Sequence, residues 1–304
     1  MGHLIVRRLL LSVFVIFGVT VVVFTVIRLS GDPAGLMLPP EATEADIAQF
    51  RREMGFDRPL PVQFWSFLTH AVRGDFGESL RYRQPALALV LERMPATIQL
   101  TSVALLVAIA VAIPAGVISA VKRNSVYDNA AMLFALFGQS MPIFWLGIVL
   151  ILIVAVRLKL LPTSGAGGWS YLILPGITLG LYTTARITRL VRAEMLEILS
   201  QDFIRTARSK GLRERAVVYR HALRNALLPV VTLIGLEAGT MLGGSVVTET
   251  VFAWPGVGQL VVRSIFNRDY PVVQAAVFVI ACIFVLVNLF VDILYTVIDP
   301  RLRR

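Results

Sequence analysis

Thr97-Ile98-Gln99-Leu100-Thr101-Ser102-Val103-Ala104-Leu105-Leu106-Val107-Ala108-Ile109-Ala110-Val111-Ala112-Ile113-Pro114-Ala115-Gly116-Val117-Ile118-Ser119-Ala120-Val121 contains no Asp, Glu, Lys or Arg. A helix rises about 1.5 Å per residue, so ~20 such residues cross the hydrocarbon of a bilayer. Buried helices of soluble domains seldom run past about 14 apolar residues without a charge. The stretch therefore reads as a membrane span. Leu9–Ile27 and Asn129–Val156 are equally free of charged residues.

The whole chain agrees. It has 304 residues, 57% of them hydrophobic and 16% charged, with mean hydropathy +0.76. Soluble domains carry roughly a quarter charged residues, too many for this chain to match. Leu9–Ile27 follows Arg7 and Arg8, but it is too long for a signal h-region and no small-x-small cleavage site follows. It reads as an uncleaved first span. The single cysteine, Cys282, sits in an apolar block and excludes an intrachain disulfide. The net charge of +10 lies in segments flanking the spans, so topology explains it better than nucleic acid does.

Six spans are expected, at 9–29, 97–121, 129–156, 171–190, 228–250 and 271–293. Arg7 and Arg8, Lys122 and Arg123, the arginines between Arg186 and Arg224, and Arg301, Arg303 and Arg304 then share one side. By the positive-inside rule that side, with both termini, is the cytoplasm. Opposite it, Ser30–Pro95 carries seven basic and nine acidic residues. Arg157 and Lys159 lie on the same external side as a small contrary signal.

The external segment has helical spacing from Glu41 to Glu53, with Gly55 as its stop. Pro59 and Pro61 break the chain, and an amphipathic pattern resumes from Gln63 to Val72. Gly74-Asp75 reads as a turn. Pro114, Pro142 and Pro175 fall inside spans and can bend them. Gly235, Gly239, Gly243 and Gly244 let a neighbouring helix approach span five.

Gln201–Gly211 reads as a short amphipathic helix, with Asp202 capping its start, Gly211 ending it, and Phe203, Ile204 and Ala207 on one face. A second helix is expected from Arg213 to Asn225, before Pro229. Such a basic element either docks on a partner protein or lies on anionic headgroups.

Ala207-x3-Gly211, then His221-Ala222-Leu223-Arg224-Asn225-Ala226-Leu227-Leu228-Pro229, resembles the coupling loop of ABC importer permeases. Further stretches resemble the dipeptide/oligopeptide/nickel branch. They include Gly31-Asp32-Pro33, Asp57-Arg58-Pro59-Leu60, Arg73-Gly74-Asp75-Phe76-Gly77-Glu78-Ser79 and Pro142-x-Phe144-Trp145-Leu146-Gly147. Gly244-Ser245-Val246-Val247-x-Glu249-x-Val251-Phe252-x-Trp254-Pro255-Gly256, Asp269-Tyr270-Pro271 and Asp299-Pro300-Arg301 complete the set. One departure is clear: where the general importer loop has Glu-Ala-Ala, this chain has Arg205-Thr206-Ala207.

The resemblance implies an all-α type I importer permease. Its parts are an N-terminal helix at 1–29, a periplasmic segment at 30–95, and a permease domain at 96–304 with its coupling segment at 191–227. It implies the pair member with the large external loop, in a bacterial inner membrane. Its partners would be a paralogous permease forming a heterodimer, two cytosolic ATPases, a periplasmic or lipid-anchored substrate-binding protein, and membrane lipid. ATP and Mg would be held by the ATPases; the chain has no Gly-x4-Gly-Lys-Ser/Thr loop. Phe203, Arg205, Thr206, Ala207, Lys210 and Gly211 are the residues expected to meet the ATPase. The substrate expected is a dipeptide, oligopeptide or glutathione-like peptide, with nickel or a metal chelate as the alternative.

Among span residues, Glu237 is the acid expected near mid-bilayer, where a charge needs a partner or water. It either lines the pathway and attracts a peptide amino group, or is a hydrogen-bonded packing residue. Gln139 and Ser140 are candidates for bonding a passing peptide backbone, or for bonding between helices. Asp269 is expected to cap span six, and Asp292 to pair with an interfacial arginine. His3, His70 and His221 have no metal-ligand spacing, and no catalytic dyad or His-Glu-x-x-His stands within a span. A secondary transporter is the remaining rival. It is disfavoured because no internal repeat is evident and Glu237 stands alone.

Overall fold

A computed structural model describes residues 2–29, 43–53 and 55–298. Outside the described residues lie Gly31-Asp32-Pro33, Asp299-Pro300-Arg301, Arg303 and Arg304, and the side chains of His3, Arg7, Arg8 and Asp292. The described residues are helical throughout apart from loops and one isolated bridge between Glu78 and Pro85. The chain divides into two compact units, residues 1–95 with 256–286, and residues 96–255 with 287–304.

The first unit contains α1 (Gly2–Leu29), α2 (Glu44–Glu53) and α3 (Leu60–Val72), the start of α4 (Ala86–Val121), α10 (Val257–Phe266) and most of α11 (Tyr270–Ile298). Gly55 adopts φ +67°, and Phe56 N–H reaches back to Arg51 C=O, as a glycine stop predicts. Pro59 and Pro61 introduce α3 without a break before Gln63: Pro59 precedes Leu60 and Pro61 occupies the first turn, where a missing N–H costs nothing. A chain of rings ties the segment between α1 and α4 to α1 and α11. Phe24 stacks on Phe67, Phe67 meets Phe76 edgewise, and Phe76 packs against Phe278. Ala86, Val90, Val257, Val272 and Ala275 complete the core.

Asp269 does not cap α11 with its side chain. Its backbone carbonyl accepts from Val273, while its buried carboxylate accepts from Ser79 Oγ at 2.5 Å and Leu80 N–H at 3.3 Å. It pins the turn at Ser79-Leu80 to the start of α11.

The second unit holds the rest of α4, α5 (Val126–Ser140), α6 (Ile143–Arg157), α7 (Ser170–Leu199), α8 (Asp202–Ser209) and α9 (Glu214–Val251). The expected third span, with Pro142 as a point of bending, is two helices, α5 and α6, bent by 108° at Met141-Pro142. Pro142 precedes α6 and so interrupts the helix outright. Pro175 and Pro229 lie inside α7 and α9 without ending them. The separate helix expected at 213–225 is the first part of α9, joined through a π-helical turn at Val217–Ala222.

Leu10–Ile27, α4, α9 and Tyr270–Val291 are long and apolar enough to cross a membrane, and α5 with α6 makes a fifth if they count as one broken span. The protein is a multi-pass membrane protein.

Small residues set the contact between α4 and α7. A Cβ on Gly180 would lie 2.7 Å from Ala104 C=O, and one on Gly116 would lie 2.7 Å from Val191 and 2.8 Å from Thr188 C=O. The two helices therefore run side by side, with residues 180 to 191 along residues 104 to 116. Gly235 is closed in the same way by Val291, whereas Gly243 and Gly244 have open space beside them. Gly180→Val should destabilise the detergent-solubilised protein by about 1–3 kcal/mol, because backbone must move to admit it. Gly243→Ala, with open space beside it, should hold or raise the thermal midpoint in the same melt.

Candidate functional site: the α8 segment and its ion pairs

α8 begins at Asp202 in the turn after α7. Asp202 does not cap it: Gln201 is the residue before the helix, with no side-chain capping bond, and Asp202 pairs with Arg205 at 3.4 Å. Gly211 adopts φ +76° and ends the segment, with Gly211 N–H bonded to Arg208 C=O. Ile204 (0% exposed) and Ala207 (6%) pack into a core with Met195, Ile198, Val217, Val218 and Ala222. The apolar face of α8 is thus buried within its own chain. Phe203 leaves that face, 41% exposed, and Arg205, Thr206, Lys210 and Gly211 are exposed with it. Of the six residues expected to meet a partner, five present themselves outward, while Ala207 supports the helix from within.

Arg208 grips Glu214 with two bonds, Nη2 to Oε1 at 2.7 Å and Nε to Oε2 at 3.1 Å. This joins the end of α8 to the start of α9. The Arg208 hydrogen bonds hold the Glu214 carboxyl below its ordinary range, and the Glu214 carboxylate raises the Arg208 guanidinium above its own.

A second carboxylate, missed in the sequence, organises the ends of three helices. Asp128 accepts from Arg192 Nε at 2.7 Å and Nη2 at 2.8 Å, from Ser119 Oγ at 2.5 Å and from Asn124 N–H at 2.9 Å. It is buried, and so is Ser119. The available signal was Ser125-x-x-Asp128 opening an apolar run: Ser125 is the cap of α5.

Glu237 is neither lone nor open. It is 2% exposed, and accepts hydrogen bonds from Arg186 Nη1 and, at 3.0 Å, from Thr183 Oγ1. Arg186 keeps 40% of its side chain exposed and lies near the Tyr182 ring. This corrects the expectation that Glu237 stands alone, and removes that argument against a secondary transporter. Glu249 is a further buried acid on α9, accepting from Thr97 Oγ1 at 2.8 Å. Beside it, Trp254 Nε1–H donates to Ala96 C=O at 2.9 Å. Gln139 is half-buried and Ser140 exposed, both at the α5 end of the break.

Comparison with known proteins agrees along the whole chain. Residues 112–304 match the family described as the binding-protein-dependent transport system inner membrane component, and residues 1–101 match the N-terminal family of such membrane components. The chain is 44% identical over 304 residues to the glutathione transport system permease protein GsiC of Escherichia coli (strain K12), covering 100% of this chain and 99% of that one. It is 41% identical over 326 aligned positions to the dipeptide transport system permease protein DppB of Alkalihalophilus pseudofirmus, covering 98% of each. Among solved structures, the inward-facing MetNI methionine ABC transporter shares the fold, at TM-score 0.60 and 20% identity over 69% of this chain and 96% of that one.

The Arg208–Glu214 bonds have a pH signature. A carboxyl depressed in the folded state contributes above its unfolded pKa, and that contribution fades as pH falls through the depressed folded value. Amides 208–215 should keep constant hydrogen-exchange protection from neutral pH to about pH 5, after correction for intrinsic rates, and lose it below about pH 4. Glu214→Gln should show the weaker protection at every pH.

Proposed function

We propose a function on one premise: the chain belongs to the family of inner-membrane components of binding-protein-dependent transport systems. It is a permease subunit of an ATP-driven importer of small peptides, either dipeptides or glutathione-like ones. The names of two relatives aligned from end to end support that substrate class, and favour it over nickel or a metal chelate. Six spans are crossed, α7 included, with both termini in the cytosol. A related permease completes the pore as a heterodimer, and a binding protein delivers substrate from outside. Two cytosolic ATPases bind ATP and Mg and do the hydrolysis; this chain performs no reaction itself.

The two-sided α8 is the observation that carries the coupling role. Its inner face is fixed by Ile204 and Ala207, and its outer face offers Phe203 flanked by Arg205, Thr206 and Lys210. An exposed aromatic amid cationic side chains suits insertion into a protein cleft. A face meant only for headgroups would keep its apolar residues together on the lipid side.

Phe203→Ala leaves the buried face intact and is the direct test. Tagged wild-type chain, purified in mild detergent from cells expressing every subunit, should retain the ATPases. Phe203→Ala should weaken retention by about 2 kcal/mol, or ~30-fold, as loss of a buried aromatic anchor does. Wild-type chain that retains no ATPase would sink the importer reading.

A further inference from the structure

We propose that Arg186, held in place by Glu237, is a carboxylate-binding residue of the translocation path and takes the anionic end of the substrate. This rests on the peptide-import reading above and adds a substrate contact to it.

Depth comes first. Residue 180 of α7 packs on Ala104 of α4, and residues 188 to 191 pack at Gly116. Arg186 lies between these contacts, alongside a part of α4 that has no charged residue. It is therefore a guanidinium at hydrocarbon depth, and does not belong with the cytoplasmic arginines among which the sequence count places it. A charge there faces a bundle interior or a water-filled space, not lipid.

Its surroundings come second. Glu237, Thr183 and Arg186 form one bonded group on α7 and α9. Glu237 is enclosed, with only 3% of its side chain exposed, so it has no surface to offer a peptide amino group. The exposed partner is Arg186. Glu237 engages Nη1, and among the described residues no other acceptor bonds the guanidinium. The remaining N–H donors form a fork suited to two carboxylate oxygens. Arg189, one turn further along α7, is exposed as well, so the local field stays positive after Glu237 has neutralised one charge.

A third observation is independent of the ion pair. Gly138 of α5 sits against Leu181 and Ala185 of α7, and Gly147, beyond the 108° break, sits against Thr178, so the break lies about two turns along α7 from Arg186. Non-helical backbone at membrane depth survives only in protein or beside a water-filled cavity. The exposed donors of a fixed guanidinium are thus left for an anion, and every unmodified peptide carries a carboxylate to bring to them.

The test uses the complete complex in proteoliposomes, with labelled dialanine or glutathione, whichever wild type accumulates. Uptake is read beside the stimulation of ATP hydrolysis by loaded binding protein. Arg186→Gln should cut uptake at least tenfold while stimulation stays within about twofold, and Arg186→Lys should recover part of the uptake. The decisive variant is Arg186→Gln with Glu237→Gln, which removes both charges and keeps a hydrogen-bonded pair. Uptake that stays low in the double variant, with stimulation intact, supports the contact. Recovery there means that the pair only packs the bundle, and overturns the proposal. Loss of stimulation together with uptake in the double variant places the guanidinium against the companion permease, and overturns it too. A wild-type complex that hydrolyses ATP but accumulates neither peptide removes the peptide-import premise, and the proposal with it, before any variant is compared.

Discussion

Hydrocarbon offers a charged or polar side chain no water, so each one inside must bring its own partner. In the second unit this requirement is met at three levels. Arg192 and Ser119 satisfy Asp128 near the turn between α4 and α5. Arg186 and Thr183 satisfy Glu237 further along α7. Thr97 bonds Glu249 towards the end of α9. Each pairing ties together elements distant in sequence. Removing one partner from such a pair costs more than the pair contributes, because the survivor is stranded. The arrangement therefore works as a set of registers: it says which helix levels belong side by side more than it adds net stability.

Close approach between helices supplies what those registers need. Gly180 and Gly116 bring α4 and α7 within reach of backbone contact, and buried Ala104, Ala108 and Ala112 line the meeting face. Lipid tails are as apolar as leucine, so apolar burial alone does little to hold spans together; tight contact between small residues does more. The opposite device operates at Met141-Pro142, where the chain gives up helical continuity and turns through 108°.

Much of this was legible in the sequence, and the exceptions share a cause. Uncharged blocks marked α1 and α4 directly, because length and hydropathy are local properties. Gly55 and Gly211 ended their helices as expected, because a positive φ is also local. The errors concern where a side chain goes when several hosts compete. Asp202 and Asp269 each stand where a cap belongs, yet one pairs with Arg205 and the other serves the turn at Ser79-Leu80. Glu237 has its partner on another helix, 51 residues away, beyond any periodicity. Asp128 was passed over because it borders an apolar block, although Ser125 three residues earlier announced it. Phe203 follows the apolar spacing of α8 but points outward, since Ile204 and Ala207 already fill the space available.

The same placement decides how motion can travel. α8 is fixed to α9 twice, by the core that includes Ile204, Val217 and Ala222, and by the two hydrogen bonds from Arg208 to Glu214. α9 then runs unbroken from Glu214 to Val251. Its π-helical turn at Val217–Ala222 sets Val217, Val218 and Ala222 into that core and leaves Tyr219 and Arg220 exposed. Glu237 stands 23 residues beyond Glu214 on this helix, ~35 Å along its axis. A push on the outer face of α8 would therefore reach the base of α9 through these two attachments, and Glu237, the partner of Arg186, stands on that same helix.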